Sequence, residues 1–396
     1  MSENAVMMGR HRTAVIAGVG LTEVGKVYGR SAPSFAAEAV RRAVTDAGLD
    51  LCDVDGLLVN AGKSSGLDVT LARRLGLRDL RMLCEVNAFG ASAGIMVAQA
   101  AGAVLTGGAD VVACVFADAS RQPGASSGEA YRRTSLEATG FRSAETASGF
   151  TSVTHRYALA ASRYMQHYGI PQEHLGAVAL SQRAWAVDNP DAQMRTPLTM
   201  EDYHRSRWIV QPLHLLDCCL VSNGGAAVVV TTQARAAVLR RPPVHVLGWG
   251  QAHPGYVLER GSEFGLVTGA AASGTAAMRM AGVTAADIDV RELYDCYTYT
   301  VLVTLEDYGV CRRGEAGELA ACGALGPEGA LPTNTGGGQL SAYYLWGMTP
   351  LLEAIVQLRG EAGTRQVPRH ELAIVSGNGG VLDHHATLVL AAGLRS

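Results

Sequence analysis

Short apolar runs alternate along this chain with longer segments in which apolar residues recur at helical spacing. The first run, Thr13–Gly20, predicts a buried strand that ends at glycines. The next segment, SFAAEAVRRAVTDAG, predicts a helix capped by Ser34 and stopped at Gly48. A further helix is predicted from about Ala91 to Thr106. Similar apolar runs predict three more strands, at Val54–Val59, Asp110–Ala117 and Asn223–Thr231. The alternation predicts an α/β fold with a largely parallel sheet.

The second half of the chain repeats the pattern of the first. Val244–Gly250 again runs from a strand into glycines, and the segment that begins at Ala281 aligns without gaps with the one that begins at Ala47. Four residue types coincide in this alignment: Ala47 with Ala281, Gly48 with Gly282, Asp53 with Asp287, and Asp55 with Asp289. GADVVACVFAD and HELAIVSGNGG then match in the same order. Two ordered matches in the same strand–helix context favour an internal duplication.

The stretch between the two halves breaks this alternation. Residues 119–212 are more polar than their surroundings and contain helical patches such as SVTHRYALAASRYMQHYG. We therefore predict an inserted loop domain at 119–212 that lies over the sheet. The first half comprises residues 1–118 and 213–238, and the second half comprises residues 239–396.

The composition excludes some classes of function. The 396 residues are 48% hydrophobic and 17% charged with a net charge of −3, so there is no basic field to attract nucleic acid. The eight cysteines form no CxxC pair, which argues against a metal site and favours free thiols in a reducing compartment. Residues 1–12 show no signal-peptide core, and no apolar run approaches the ~18 residues of a membrane helix. We expect a cytoplasmic protein that binds neither metals nor membranes.

Six stretches spread over nearly the whole chain carry a family resemblance. They are TAVIAGVGLTEVGK, VNAFGASAG, NPDAQMRTPLTMEDYHRSRWIVQPLHLLDCCLVSNGGAAVV, ELYDCYTYT, NTGGGQLSAYYLWG and VSGNGGV. In this order they resemble the thiolase superfamily, and within it the sterol-carrier or lipid-transfer-protein thiolases. The resemblance implies a duplicated, five-layered α-β-α-β-α fold with an inserted loop domain. It also implies a homodimer packed through sheet edges, and an acyl-CoA bound against the loop domain.

The residue types that carry thiolase chemistry are absent from the matching positions. The resemblance places the cysteine nucleophile in the turn Val86–Ala93, where position 90 is Gly90. Glycine has no side chain, so no acyl-enzyme can form there, and its small size is expected to leave room for a larger substrate. Ser92, two residues on, is expected to face elsewhere on the helix.

The other three catalytic positions of the family also differ. Tyr294, in Tyr-Asp-Cys-Tyr, stands where the family has a histidine that holds a thioester oxygen. Tyr344 stands at the histidine that activates the nucleophile, and Ser376 replaces the second cysteine. A phenol can donate a hydrogen bond to an oxyanion or accept a proton if its pKa of about 10 is lowered. Tyr294 and Tyr344 are therefore the predicted catalytic residues.

Five residues around these tyrosines are predicted to contact substrate: Gly90, Cys296, Asn334, Ser376 and Gly380. Cys296 is interpreted either as a general acid or as a small polar filler. In the neighbouring Asp383-His384-His385 segment, adjacent strand residues point to opposite faces, so one histidine could approach the pocket, but an interface or surface role is favoured.

A thiolase pocket stabilises the enolate of an acyl-CoA, and losing the nucleophile removes acyl transfer while keeping that capacity. The predicted reaction is therefore a retro-aldol cleavage of the Cα–Cβ bond of a β-hydroxyacyl-CoA. It needs two proton-transfer groups and no cofactor beyond the CoA thioester, which is the substrate.

The chain also resembles the thiolase-like aldolases of bacterial steroid side-chain degradation, which share the lost nucleophile and the tyrosines. This resemblance implies a steroid side-chain CoA ester as substrate, with propionyl-CoA and a 17-keto steroid as products. It also implies a zinc-containing OB-fold partner of the DUF35 type and a hydratase.

Two alternatives stay open on the sequence. The chain could be a catalytically silent acyl-CoA-binding or lipid-binding scaffold subunit. It could also be a true thiolase that uses an unaligned cysteine, for which Cys296 is the candidate.

Overall fold

The computed structural model describes residues 13–393 except 131–142, 145–146, 151, 240 and 256–260. The first half contains β1 (Ala14–Leu21), α1 (Ala32–Ala47), β2 (Gly56–Ala61), α2 (Leu71–Leu75), β3 (Met82–Glu85), α3 (Ser92–Thr106) and β4 (Val111–Asp118). It resumes after the insertion with β7 (Gly224–Thr232) and α8 (Gln233–Ala236). The prediction that residues 1–12 contain no targeting segment falls outside the described residues.

The inserted segment contributes helices and one small hairpin. Its elements are α4 (Ser127–Ala130), α5 (Val153–Tyr168), α6 (Gln172–Ala186), α7 (Met200–Arg205), β5 (Trp208–Val210) and β6 (Leu213–His214). Strands β5 and β6 pair with each other outside the main sheet. The boundary predicted at residue 213 falls at the first residue of β6, and the next strand of the main sheet, β7, begins at Gly224.

The second half repeats four of the strands of the first half without the insertion, and among the described residues it has no counterpart of β3. It contains β8 (Val244–Ala252), α9 (Gly269–Ala281), β9 (Val290–Glu292), α10 (Thr298–Asp307), α11 (Ala316–Ala321), α12 (Met348–Leu358), β10 (Leu372–Gly379) and β11 (His384–Ala391). The boundary predicted at residue 239 lies between α8 and β8.

The main sheet shows the duplication directly. Its strand order is β3-β2-β4-β7-β1-β8-β11-β10-β9, so β1-β7-β4-β2 and β8-β11-β10-β9 repeat one arrangement outward from the centre. Each copy has two antiparallel pairs followed by one parallel pair. The copies meet where β1 and β8 pair antiparallel, at Val15 with His245 and Ile16 with Val244.

The predicted largely parallel sheet is therefore wrong. Within the described part of the main sheet, five of the eight strand pairings are antiparallel and three are parallel. The reason is that the last strand of each half, β7 or β11, returns beside its predecessor. Because these strands are buried on both faces, their apolar runs look the same in either direction.

The residues aligned in the two halves perform the same structural tasks. Gly48 and Gly282 both end their helices in the left-handed conformation, with φ of 73° and 68°. Asp55 accepts hydrogen bonds from the N–H groups at the start of β4, and Asp289 does the same at the start of β10. These matching contacts confirm the predicted duplication at the level of individual side chains.

The structure corrects the first residue of two predicted elements, α1 and β2. Helix α1 begins at Ala32 after Ser31 rather than at Ser34, because Pro33 occupies the first turn, where its missing N–H costs nothing. Strand β2 begins at Gly56 rather than Val54, because a 3₁₀ turn at Leu51–Asp53 occupies the preceding residues.

The helices and the two parts of the sheet form five layers. Helix α1 covers the outer face of β1, β4 and β7, and α9 covers the outer face of β8 and β11. Helix α3 packs against strands of both halves, with α12 beside it. Strand β4 shows the result: Val112, Cys114 and Phe116 join the core around α3, whereas Val111, Ala113, Val115 and Ala117 join the core under α1.

Helix α3 has one property that the sequence pattern did not predict. Among the described residues, Phe89–Thr106 is the one helical segment long and apolar enough to span a membrane, and 67% of it is buried inside the protein. A helix that lies between two sheets must be apolar on every side, so this composition is that of a central core helix. The same placement puts the start of α3 at the middle of the molecule.

Candidate active site

The start of α3 is a tight turn that contains Gly90. Residues Phe89–Ala91 form a 3₁₀ turn, and Phe89 adopts a positive φ of 52°, which is uncommon for a residue with a side chain. The hydroxyl of Ser92 accepts a hydrogen bond from the N–H of Ala88 at 2.7 Å. Ser92 therefore closes the turn and, as predicted, does not stand in for a nucleophile.

Tyr294 occupies the space beside Gly90. A Cβ atom built on Gly90 would overlap Cε2 and Cζ of Tyr294 and the carbonyl oxygen of Asn378. The expectation that Gly90 leaves room for a larger substrate is therefore wrong in this structure, because the phenol ring fills that volume. The same overlap explains why a side chain is excluded at position 90.

The two predicted catalytic tyrosines meet. The hydroxyl oxygens of Tyr294 and Tyr344 lie 2.9 Å apart, within hydrogen-bond distance, and the rings are edge to face with centroids 6.4 Å apart. Tyr294 is buried and Tyr344 is half-buried. Their separation in sequence is 50 residues, so the contact depends on the tertiary fold.

Separate hydrogen bonds hold the backbone of each tyrosine. Ser376 accepts the N–H of Tyr294 at 3.0 Å, and Ser222 accepts the N–H of Tyr344 at 3.0 Å. Ser376 was predicted to contact substrate, and the structure gives its hydroxyl this positioning contact. The side-chain oxygen of Asn334 accepts the N–H of Leu293 at 2.6 Å.

Two buried amide atoms near these tyrosines have no hydrogen-bond partner in the part of the chain that the structure describes. They are Nδ2 of Asn334 and Oδ1 of Asn378. Since buried polar groups are nearly always paired, these atoms are available to a bound ligand or to water. The donor of Asn334 suits a thioester oxygen, which keeps its predicted role in substrate binding open.

The inserted segment adds a third tyrosine to the site. The hydroxyl of Tyr157, on α5, accepts a hydrogen bond from Nδ2 of Asn378 at 3.0 Å and donates to the carbonyl of Gly380 at 3.3 Å. Its ring packs on that of Tyr297, with centroids 4.6 Å apart. Burial, then nearby Cys296, raises the pKa of Tyr157 far above its usual value, so it acts as a neutral hydrogen-bonding group.

Cys296 has the properties of a neutral thiol. It is buried, and burial raises its pKa to about 12, although a hydrogen bond with Tyr157 acts in the opposite direction. A nucleophilic cysteine needs a thiolate near neutral pH. The structure therefore argues against Cys296 as the nucleophile of an unconventional thiolase.

The remaining polar candidates lie to the side of the tyrosine pair. Nδ1 of the partly exposed His384 lies 3.1 Å from Nδ1 of His253, whereas His385 is buried beside Tyr308. Among the residues that the structure describes, no group of three or more His, Cys, Asp or Glu is placed to hold a metal ion.

Sequence reasoning missed Tyr157 and Asp295. Tyr157 lies in a helix whose pattern gave no sign that it faces the site, and its partner Asn378 is 221 residues away. Asp295 is fully buried and directly follows Tyr294, and an acidic residue inside an apolar segment was the one available signal.

Comparisons with known proteins give the family that this chain matches. The family model for the N-terminal domain of thiolase matches residues 14–234, and the model for a thiolase C-terminal domain-like unit matches residues 250–392. A steroid side-chain-cleaving aldolase from Thermomonospora curvata is 38% identical over 92% of this chain and 95% of its own. A 17-hydroxy-3-oxo-4-pregnene-20-carboxyl-CoA lyase from Mycobacterium tuberculosis is 36% identical over 92% of this chain and 96% of its own.

One solved structure has the same fold as this chain. It is described as an Ltp2-ChsH2(DUF35) aldolase and superposes with a TM-score of 0.85 at 36% identity. The superposition covers 96% of this chain and 97% of the other.

Proposed function

The chain belongs to the thiolase family, and we propose that it breaks a carbon–carbon bond without the covalent intermediate that a thiolase forms. It is a carbon–carbon lyase of the aldolase class that acts on an acyl-CoA, as its relatives named aldolase and CoA lyase are. The observation that carries the proposal is the pair of phenols 2.9 Å apart, with one ring filling the volume beside Gly90.

The reaction proposed is a retro-aldol cleavage that moves two protons. One phenol, acting as a phenolate, takes the proton of the β-hydroxyl group, and the Cα–Cβ bond breaks to leave a ketone and the enolate of the acyl-CoA. The other phenol returns a proton to Cα. Because Tyr294 and Tyr344 share a hydrogen bond, the protonated hydroxyl can donate to the ionised one. Only protons are exchanged, so the reaction as written calls for no cofactor.

The proposed substrate is a steroid side-chain CoA ester with a tertiary β-hydroxyl group. The names of both relatives point to a steroid side chain, and the lyase is named for a 17-hydroxy steroid CoA ester. Cleavage of such an ester would give propionyl-CoA and a 17-keto steroid. The unpartnered Nδ2 of Asn334 supports this proposal, because a donor at the thioester oxygen would stabilise the enolate.

The direct test compares Tyr294→Phe and Tyr344→Phe with the unaltered enzyme, each with and without a DUF35 partner. We expect a fall in kcat of about 10²–10⁴-fold for each variant, as for the loss of a general acid or base. Tyr299→Phe is the matched control, because Tyr299 is a buried tyrosine whose hydroxyl donates to the carbonyl of Gly265 at 2.8 Å. If the unaltered protein releases no ketone with its partner present, the silent scaffold is the better reading.

We propose a DUF35-type partner because a solved structure 36% identical to this chain is described with one. In the steroid side-chain aldolases that the sequence resembles, that partner is a zinc-containing OB-fold protein that works beside a hydratase. Co-purification of the two chains and a higher kcat in the complex are the expected results. A chain with full activity alone would speak against a catalytic need for the partner.

We also propose a homodimer that forms through β3. Among the described strands β3 has a neighbour on one side, and Leu83 on it is 42% exposed. An exposed apolar edge strand is a template for pairing with a second copy. Leu83→Glu would place like charges together across that contact, so we expect a monomer by sedimentation. A Leu83→Glu dimer would exclude this edge.

A further inference from the structure

Asp295 is a fully buried carboxylate that connects the segments bearing the two tyrosines. It directly follows Tyr294. The N–H of Gln339 is shared between its Oδ1 at 2.9 Å and its Oδ2 at 2.8 Å, and the N–H of Leu340 donates to Oδ2 at 3.1 Å. Both donors lie in the turn that leads to Tyr344. We propose that Asp295 is a positioning residue that holds the Tyr344 hydroxyl against that of Tyr294, which rests on the function proposed for that pair.

The turn is shaped around this carboxylate. Gly337 and Gly338 have φ of 95° and 59°, and residues Gly338–Ala342 form a single π-helical turn. A Cβ atom on Gly338 would overlap Oδ2 of Asp295, so the backbone passes as close to the carboxylate as glycine permits. Such π turns are uncommon and are frequent at functional sites.

Other links between the same segments end before the turn. The N–H of Leu293 donates to Asn334, and the N–H of Thr335 donates to Glu292 at 2.9 Å. Both contacts hold residues that precede the turn. Asp295 holds Gln339 and Leu340 within the turn, and Ser222 then holds the N–H of Tyr344, so the two contacts together position that side chain.

Three titratable groups interact with Asp295: Glu292, Cys219 and Cys296. Burial, then the Glu353 carboxylate, raises the pKa of Glu292 well above its usual range, which favours its neutral form. Burial raises the pKa of Cys219 well above its usual value and that of Cys296 to about 12, so both are thiols. Gln182, whose side chain also acts on this carboxylate, carries no charge.

Asp295 is therefore the group in this set that ionises near neutral pH. Burial raises its pKa to about 7, while the N–H groups of Gln339 and Leu340 act in the opposite direction. The ionised form can accept at both oxygens, whereas protonation turns one oxygen into a donor that faces N–H groups. We expect kcat to fall as the pH decreases through about 7.

The effect of the same ionisation on folding stability has the opposite sign. The folded pKa of about 7 lies above the ordinary value of 3.8, so the folded state binds more protons between these limits. The contribution of Asp295 to stability is thus present below 3.8 and is lost as the pH rises towards 7. Activity and stability should move in opposite directions, which a merely structural residue would not produce.

The test is Asp295→Asn, measured with the complete protein and its partner. We expect kcat to fall about 10–100-fold at pH 8 with KM changed less than about twofold, since the phenols are displaced but the pocket is kept. The acidic limb near pH 7 should also disappear. Asp307→Asn is the control: Asp307 is buried, accepts the N–H of Thr268 at 2.9 Å and pairs with Arg313. It should keep the acidic limb.

Crystal structures supply a readout that does not depend on turnover. In Asp295→Asn the separation of the two phenol oxygens should exceed about 3.5 Å, the limit of a hydrogen bond. Unaltered crystals at about pH 5.5 and 8.5 give the same comparison without a substitution. A separation that stays at 2.9 Å in the variant, or across this range of pH, overturns the proposal. An unaltered enzyme that cleaves no ester overturns the proposed function, while the crystal distances still decide the role of Asp295.

Discussion

Gly90→Ala tests whether the space beside the turn is shared with Tyr294. The new Cβ would overlap two ring atoms of Tyr294 and the carbonyl oxygen of Asn378. The carbonyl belongs to β10 and cannot withdraw easily, so the ring must move. Forcing a methyl group into such a packed site costs about 1–3 kcal/mol of unfolding free energy. Ring movement of about 1 Å would separate the phenols and lower kcat about 10²-fold.

Gly102→Ala, on the same helix, is the matched control. No atom lies within 4 Å of a Cβ built on Gly102, so the change should stabilise the protein by about 0.5–1 kcal/mol through helix propensity alone. Chemical denaturation reports both stabilities, and ketone release from a β-hydroxyacyl-CoA reports both rates. A Gly90→Ala enzyme with the stability and rate of the unaltered protein would refute the packing argument, because the ring would then have free space.

Three further outcomes follow from the site. Gly90→Cys should show no thiolysis of a 3-ketoacyl-CoA, since tyrosines stand at both histidine positions; measurable thiolysis would show that the lost nucleophile was the only barrier. Iodoacetamide at pH 7.5 should not lower the rate of ester cleavage, because burial raises the pKa of Cys296 to about 12 and the neutral thiol reacts slowly. Loss of activity together with alkylation of Cys296 would instead favour a thiolase that uses this cysteine. Tyr157→Phe should lower stability by about 1–3 kcal/mol, because the Asn378 side chain would lose the one hydrogen-bond partner it has among the described residues; an unchanged denaturation midpoint would contradict that.

The duplication could be predicted from the sequence because it leaves local marks, and the structure brings the two predicted tyrosines within hydrogen-bond distance. Asp55 and Asp289 recur in matching contexts and cap matching strands. The tyrosines fall in turns whose glycines align with a family pattern. These features are set by short stretches of chain, and the fold confirms where they lie.

Neither the directions of the strands nor the contacts that hold the two tyrosines in place could be predicted, because no local sequence pattern encodes them. The apolar run of β7 is compatible with either direction, and its pairing with β1 joins residues about 200 positions apart, as at Ala14 and Thr232. Proline is favoured in the first turn of a helix, so Pro33 could have indicated that α1 begins before Ser34. The contact of Asp295 with Gln339 depends on how two distant segments pack, which no local pattern encodes.

The overlap at Gly90 also restricts the mutational routes between this enzyme and a thiolase. A tyrosine ring at position 294 and any side chain at position 90 compete for one volume. From a thiolase, the glycine must therefore come before the tyrosine or together with it. In reverse, a cysteine at position 90 would be obstructed until the ring is removed, and removing the ring first abolishes the proposed lyase. If Tyr294 acts as proposed, reversal would pass through an inactive intermediate, so this single contact would make the change from thiolase to lyase hard to undo.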